Sequence, residues 1–428
     1  MARPMVTSMW ALVAAFGAYA CMYGLRKPFT AASFESVGVA AGVGIGFKAW
    51  LVIAQVLGYT LAKILGVKII AEMRPARRAA TLLGLVGAAE LALVLFAVTP
   101  PPYHCAWLFL NGLSLGLVFG LVLGFLEGRC STELLVAGLC ASFILADGAT
   151  KSVGASLLVA GVSELWMPAV AGSLFLGPLA GFVWMLQQVP PPSVADVEER
   201  AARRPLNGDA RWALFWRYAF GLSAVTLTYV LVTILRSLRA DFAPELWRGL
   251  GTSVAPSVFA KSEFWVALGV LAAHGLMVLV RNNRVAFFLG LGVSAAGLGL
   301  VGVALVAWET GRCGAFGFMV LLGFGMYLPY VAVHTTLFER LLAMTREQGN
   351  LGYLMYLADA AGYLGYVLVM TGHWIWPVAS DFLGFFKLVS WVVASVSMLA
   401  IALAAVYFAR GGDAEGQKFN ASPADSSS

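Results

Sequence analysis

MVTSMWALVAAFGAYACMYGLR, residues 5–26, runs through 21 uncharged residues before it meets Arg26. A bilayer core of about 30 Å takes roughly 20 helical residues to cross, so this run has the length of one crossing. YAFGLSAVTLTYVLVTILR, residues 218–236, repeats the arrangement 210 positions later and closes on Arg236. A charged side chain at membrane depth costs roughly 2.5–3.5 kcal/mol on insertion scales, which makes such a residue a functional candidate by default. Two arginines at matched places in two halves point to one anion site that both halves share.

The rest of the chain fits that frame. Of its 428 residues 60% are hydrophobic and 12% charged, and the mean hydropathy is +0.84. Soluble domains carry about 25% charged residues, so this surface is made for lipid. Twelve apolar segments have spanning length: 5–25, 48–71, 79–99, 105–126, 134–160, 165–187, 213–236, 262–281, 285–308, 314–338, 350–372 and 382–409. The expected fold is an all-α polytopic membrane protein with 12 transmembrane helices. No cleavable signal segment is expected, because the first apolar stretch is span length and continues into the fold.

A net charge of +6 would suggest nucleic acid in a soluble protein; here it reports topology. The joins after spans 2, 6 and 8 hold arginines (Arg74, Arg77 and Arg78; Arg200, Arg203, Arg204 and Arg211; Arg281 and Arg284), and those after spans 3, 5 and 11 hold no Lys or Arg. The positive-inside rule then places both termini in the cytoplasm. Joins 1 and 7 break the pattern with Arg26 and Lys27, and with Arg236, Arg239 and Arg248. Charges that defy the topology rule are expected to serve something else.

The halves repeat. Glu127 matches Glu339, Asp147 in Leu-Ala-Asp-Gly-Ala matches Asp359 in Leu-Ala-Asp-Ala-Ala, Gly112 matches Gly323 and Lys63 matches His274, all at offsets of 211 or 212. Six crossings return the chain to its starting side, so the repeats are parallel, as in transporters whose halves rock about a midplane site. The expected division is a six-helix bundle over 1–187, a Pro-rich, charged cytoplasmic linker over 188–212, a second bundle over 213–410 and a disordered tail over 411–428. The chain contains no GxxxxGK[ST] phosphate loop, so ATP machinery is not expected.

Each intramembrane charge admits two readings. Arg26 and Arg236 either cap a span at the interface or present planar forks suited to phosphate or carboxylate. Lys63, too deep to snorkel easily, lines a polar cavity or joins an ion pair, for which Glu90 in span 3 is the partner expected by charge. Asp147 and Lys151 stand four apart on one helical face, as a local pair or as a cavity lysine with its resting counter-ion. Asp359 has no cation three or four residues away, so it pairs with another helix or carries a proton. His274 and His334 are either satisfied core histidines or transport residues. Gly112, Gly116, Gly120 and Gly124 form a GxxxG ladder for close helix packing. The five cysteines have no metal spacing, although Cys105 and Cys313 both fall at predicted outer helix ends.

Twelve spans in two parallel halves resemble the major facilitator superfamily, and three motifs resemble its organophosphate:phosphate antiporter branch. Ala18-Tyr-Ala-Cys-Met-Tyr-Gly-Leu-Arg-Lys-Pro-Phe29 looks like that branch's first span, which places Arg26 at its phosphate-binding arginine. Gly58-Tyr-Thr-Leu-Ala-Lys63 is similar to its second span, and Leu235-Arg236 with Asp241-Phe-Ala-Pro244 to its seventh. The branch's span 5 histidine is replaced here by Lys151, and its Asp-Arg signature after span 2 is reduced to Glu72-Met-Arg74 and Arg77-Arg78.

The expected function is secondary transport of a small organic anion, phosphorylated and exchanged for inorganic phosphate as the resemblance implies. Arg26, Lys63, Lys151, Arg236 and His274 are the expected substrate-binding residues, and Asp147, Asp359 and Glu90 the coupling or ion-pair residues. Two alternatives stand beside it: a proton symporter of a neutral or zwitterionic solute, and a membrane sensor on a transporter fold. No catalytic constellation, metal site or cofactor is expected. The expected partners are the substrate anion and the lipid bilayer, with no nucleic acid, in a monomer of the bacterial inner membrane.

Overall fold

In a membrane every backbone N–H and C=O needs an internal partner, and a long apolar helix meets that need within one segment. The computed structural model is built on this solution. It describes residues 2–40, 46–71, 73–126, 132–190, 216–252, 255–277, 279–280, 282–345, 352–376 and 381–410. The expected linker falls almost wholly in 191–215 and the tail in 411–428; both, with Glu127, lie outside the described residues.

The first half contains α1 (Ala2–Arg26), α2 (Phe47–Ala71), α3 (Arg78–Val98), α4 (His104–Leu126, in two segments that meet at Gly116), α5 (Thr132–Val159) and α6 (Met167–Gln187). The second contains α7 (Ala219–Asp241), α8 (Ser257–Met277), α9 (Asn283–Glu309), α10 (Ala315–Leu341), α11 (Gly352–Ile375) and α12 (Phe382–Ala409). Eight of these are long and apolar enough to cross a membrane by length and composition. Inside α10 a π-helical turn covers Val333–Leu337.

The helices pack as a repeat. In the first half α1 lies against α4, α5 and α6, α4 against α2 and α3, and α3 against α6; in the second α7 lies against α10, α11 and α12, α10 against α8 and α9, and α9 against α12. Across the halves α2 meets α11 and α8 meets α5, which are equivalent contacts when the halves are exchanged.

Helices α7 and α8 depart from the spans read off the sequence. Helix α7 runs five residues beyond Arg236, and α8 begins five residues before 262. The expected limit of α7 stops at a charged residue, whereas Arg236, Arg239 and Asp241 are all buried and the helix runs through them.

Glycine sets the tightest approach. A Cβ on Gly112 would stand 2.0 Å from the Gln55 carbonyl oxygen, and one on Gly58 would stand 2.0 Å from the Phe109 oxygen, so α2 and α4 touch backbone to backbone. The matching Gly323 serves a different end: its missing side chain leaves room for the Arg239 guanidinium, 2.7 Å from where a Cβ would sit. Cys105 and Cys313 are free thiols, so the bridge their positions allow is not formed.

Gly112→Leu should therefore force α2 from α4 and destabilise the protein by about 3 kcal/mol. Gly177→Ala, on α6 with nothing within 4 Å of its Cβ position, should change stability by less than about 0.5 kcal/mol. Thermal unfolding of the purified variants checks both.

Candidate functional site

A charge buried in a low-dielectric interior is tolerated only when it is paired and hydrogen-bonded. Among the described residues seven Lys and Arg side chains are buried, and five of them have a carboxylate partner. Lys27 pairs with Asp241, Lys63 with Asp359 and Lys151 with Asp147. Lys48 reaches Glu245 at 2.7 Å and Arg239 reaches Glu263 at 2.7 Å. The two left over are Arg26 and Arg236, 3% and 6% exposed.

These two are held by aromatic rings. Helix α1 ends at Arg26 because Pro28 opens a short 3₁₀ turn over Pro28–Ala31. Its last carbonyls are taken up by side chains: Asn111 Nδ2 donates to the Leu25 oxygen at 3.2 Å and Gln55 Nε2 to the Arg26 oxygen at 3.1 Å. The guanidinium so positioned lies 3.8 Å from the ring centre of Tyr59 on α2, 5.9 Å from Tyr23 and 5.8 Å from Tyr363 on α11. Arg236, within α7, lies 4.6 Å from the ring centre of Tyr330 and 5.7 Å from that of Phe143, and it donates to Tyr363 Oη at 3.1 Å. Each arginine thus reaches a ring of the opposite half, and Tyr363 touches both. Cation–π contact stabilises a desolvated guanidinium by about 2 kcal/mol or more, but it leaves N–H donors open. Nε of both arginines is buried without a hydrogen-bond partner among the described residues.

The arginines stand between two tiers of ion pairs. Along α11, Asp359 binds Lys63, Tyr363 touches the arginines, and Tyr366 donates to Asp241 at 3.1 Å. Along α7 the same order recurs in Tyr229, Arg236 and Asp241. Lys48 and Lys63 lie 15 residues apart on α2, about 22 Å along its axis. One tier therefore holds Lys27–Asp241 and Lys48–Glu245, with Lys48 also donating to the Thr30 oxygen at 2.7 Å. The other holds Lys63–Asp359, with Tyr229 donating to Asp359 and sharing a 2.6 Å hydrogen bond with His334. All three pairs join a cation of the first half to a carboxylate of the second.

The residues expected from the sequence divide accordingly. Arg26, Arg236, Lys63 and Asp359 lie in one connected region, and Asp147 holds Lys151 while standing 3.8 Å from Lys27. The partner expected for Lys63 needs correction: it is Asp359 of α11, and Glu90 instead sits against Gly172 of α6 with Oε2 lacking a hydrogen-bond partner. Charge complementarity in the sequence does not know which helix faces which. His274 bonds to the Val270 oxygen of its own helix at 3.0 Å and touches neither arginine. Lys27, Lys48, Arg239, Asp241, Glu245 and Glu263 were not expected at the site. The broken topology rule at joins 1 and 7 flags Lys27 and Arg239, and the cluster of tyrosines at positions 19, 23, 59, 229, 327, 330, 363 and 366 is the other signal.

Residues 28–411 match the profile described as "Family of unknown function (DUF5690)". No curated protein sequence matches the chain. Among solved structures the chain resembles a bacterial homologue of the iron transporter ferroportin in its outward-facing state, with a TM-score of 0.61 and 16% identity over 94% of this chain and 100% of that one. It also resembles a D-xylose-proton symporter (0.59, 15%, 93% and 97%) and the nucleoside transporter NupG (0.56, 11%, 93% and 98%). At these identities the likeness shows the fold alone, an all-α arrangement of the major facilitator type.

Asp241→Asn should cost about 3–5 kcal/mol in thermal unfolding, since it leaves Lys27 buried with only the more distant Asp147. Adding Lys27→Met should recover most of that loss, because no unpaired charge then remains.

Proposed function

The chain belongs to the DUF5690 family, and we propose that it is a secondary transporter of a small organic anion, carrying a phosphate or a comparable dianionic group, that works by alternating access between its two six-helix halves. One observation carries this reading. Every buried lysine or arginine among the described residues has a carboxylate except Arg26 and Arg236, one from each half, which meet at Tyr363. The two unmatched positive charges suit a dianion, and the open N–H donors suit its oxygens.

An anion gripped by both arginines would draw the halves together around it. To enter or leave, it needs one inter-half tier broken while the other stays closed. Each lysine released from its carboxylate adds attraction for the anion, so the binding energy offsets the opening of a tier. In the orientation given by the positive-inside rule, both termini are cytoplasmic and the Lys27–Asp241 and Lys48–Glu245 tier lies on the outer side. Exchange for inorganic phosphate is the finer reading, supported by the likeness of Leu25-Arg26-Lys27 and Leu235-Arg236 to the organophosphate antiporters; a bacterial cytoplasmic membrane is the location that goes with it.

Thermal-shift titration of the purified protein with inorganic phosphate, glycerol phosphates, sugar phosphates, phosphonates and carboxylates tests the reading. A phosphorylated ligand should stabilise the protein, and Arg26→Ala or Arg236→Ala should each weaken its binding at least about 30-fold, equivalent to 2 kcal/mol. If no anion stabilises the protein, or the arginine variants respond as the unaltered chain does, the reading is wrong.

A further inference from the structure

The two ion-pair tiers are built differently, and the difference has a chemical consequence. In the Lys63–Asp359 tier, one carboxylate oxygen, Oδ2, holds Lys63, while Oδ1 accepts from the Tyr229 hydroxyl. Tyr229 has a single hydroxyl hydrogen, so its 2.6 Å contact with His334 requires the imidazole Nε2–H to donate to the phenol oxygen. That tautomer leaves Nδ1 of His334 as an acceptor, and Nδ1 is buried with no hydrogen-bond partner among the described residues. His334 also stands in the π-helical turn Val333–Leu337, a distortion frequently found at functional sites. The Lys27–Asp241 tier is braced by Tyr366, with no histidine bonded to it among the described residues.

We propose that Asp359 is a proton-binding site, loaded through His334 and Tyr229, and that its protonation opens the Lys63–Asp359 tier. The balance is simple. A proton adds to His334 Nδ1, the Nε2 proton passes to Tyr229 Oη, and the Tyr229 hydroxyl proton passes to Asp359 Oδ1. The imidazole and the phenol end neutral, and Asp359 ends as a carboxylic acid. The electrostatic hold on Lys63 is lost, and the arginine region gains one unit of positive charge.

The titratable and charged groups around Asp359 are Lys63 and Tyr59 from α2, Tyr229 and Arg236 from α7, His334 and Tyr330 from α10, and Tyr363 from its own helix. Histidine is the one of these whose ordinary titration falls near neutrality, which fits it for the entry point of the relay. Because protonation of Asp359 removes a negative charge, lower pH should favour an anion at Arg26 and Arg236, and an anion there should favour the proton, by the reciprocity of coupled binding. Proton and anion would then move together. This coupling rests on the anion reading; the proton site does not.

Two measurements separate them. The first takes the ligand-free purified protein from about pH 8 to about pH 5 and records the infrared difference spectrum. The C=O stretch of a buried carboxylic acid should appear on acidification, vanish in Asp359→Asn, and change its frequency or its pH midpoint in Tyr229→Phe and His334→Gln. The second titrates sulfate, which stays a dianion throughout this range. Its affinity should rise by up to about tenfold per pH unit as pH falls, and should not vary with pH in Asp359→Asn. An acid band that survives Asp359→Asn overturns the proton site; if that variant does not fold, a band unmoved in both relay variants does the same. Sulfate affinity independent of pH, with the band present, overturns the coupling. Sulfate that binds at no pH, or equally well to Arg26→Ala, counts against the anion site while the infrared result still decides the proton site.

Discussion

The cost of burying charge in a membrane interior organises this protein. Seven cations lie buried among the described residues, and the fold answers five of them with carboxylates and two with aromatic rings. A buried ion pair sits near break-even, because desolvation takes back most of what Coulomb attraction supplies. Such pairs bind weakly in net terms yet forbid separation unless something replaces the lost partner. The alternating access proposed above would be well served by contacts of that kind. Here the three inter-half pairs made by buried lysines all run from a cation of the first half to a carboxylate of the second, so the halves carry opposite local charge at these contacts.

The scaffold repeats while the chemistry does not. Helix contacts of the first half recur in the second, yet matched positions are put to different uses. Gly112 lets two backbones touch, whereas Gly323 makes room for Arg239. Lys63 crosses to Asp359, while His274 bonds to its own helix. The arginines keep matched places, and the groups above and below them diverge. A symmetric frame with an asymmetric lining suits the rocking proposed above: like mechanics in both halves, with different chemistry in the two tiers.

Much of the site was legible in the sequence only as an anomaly. Arg26, Lys27, Arg236, Arg239 and Arg248 stood out because they break the positive-inside pattern, and the first four are buried while Arg248 is exposed. The same reading cut α7 short at Arg236, because hydropathy treats a charge as the end of a span. It has no means of knowing that Arg236 rests on Tyr330, or that Arg239 is neutralised by Glu263 from the next helix. Lys48, Glu245 and Glu263 left no signal, since Lys48 and Glu263 lie at expected span limits and Glu245 in an expected join, where charge is ordinary.

By itself the sequence determined the class of fold, the parallel repeat and the two matched arginines. Those are properties of length, composition and spacing, and a bilayer makes them decisive, since an apolar run of about 20 residues crosses it as a helix. Which cation meets which carboxylate was decided by the tertiary structure alone. Lys63 passes over Glu90 of its own half to reach Asp359, 296 residues away. His334, at no marked spacing, joins the carboxylate that His274 misses. Pairing depends on which faces of neighbouring helices are turned together, and helix rotation is set by the packing of small residues such as Gly58 and Gly112. No one-dimensional pattern of charge contains that rotation.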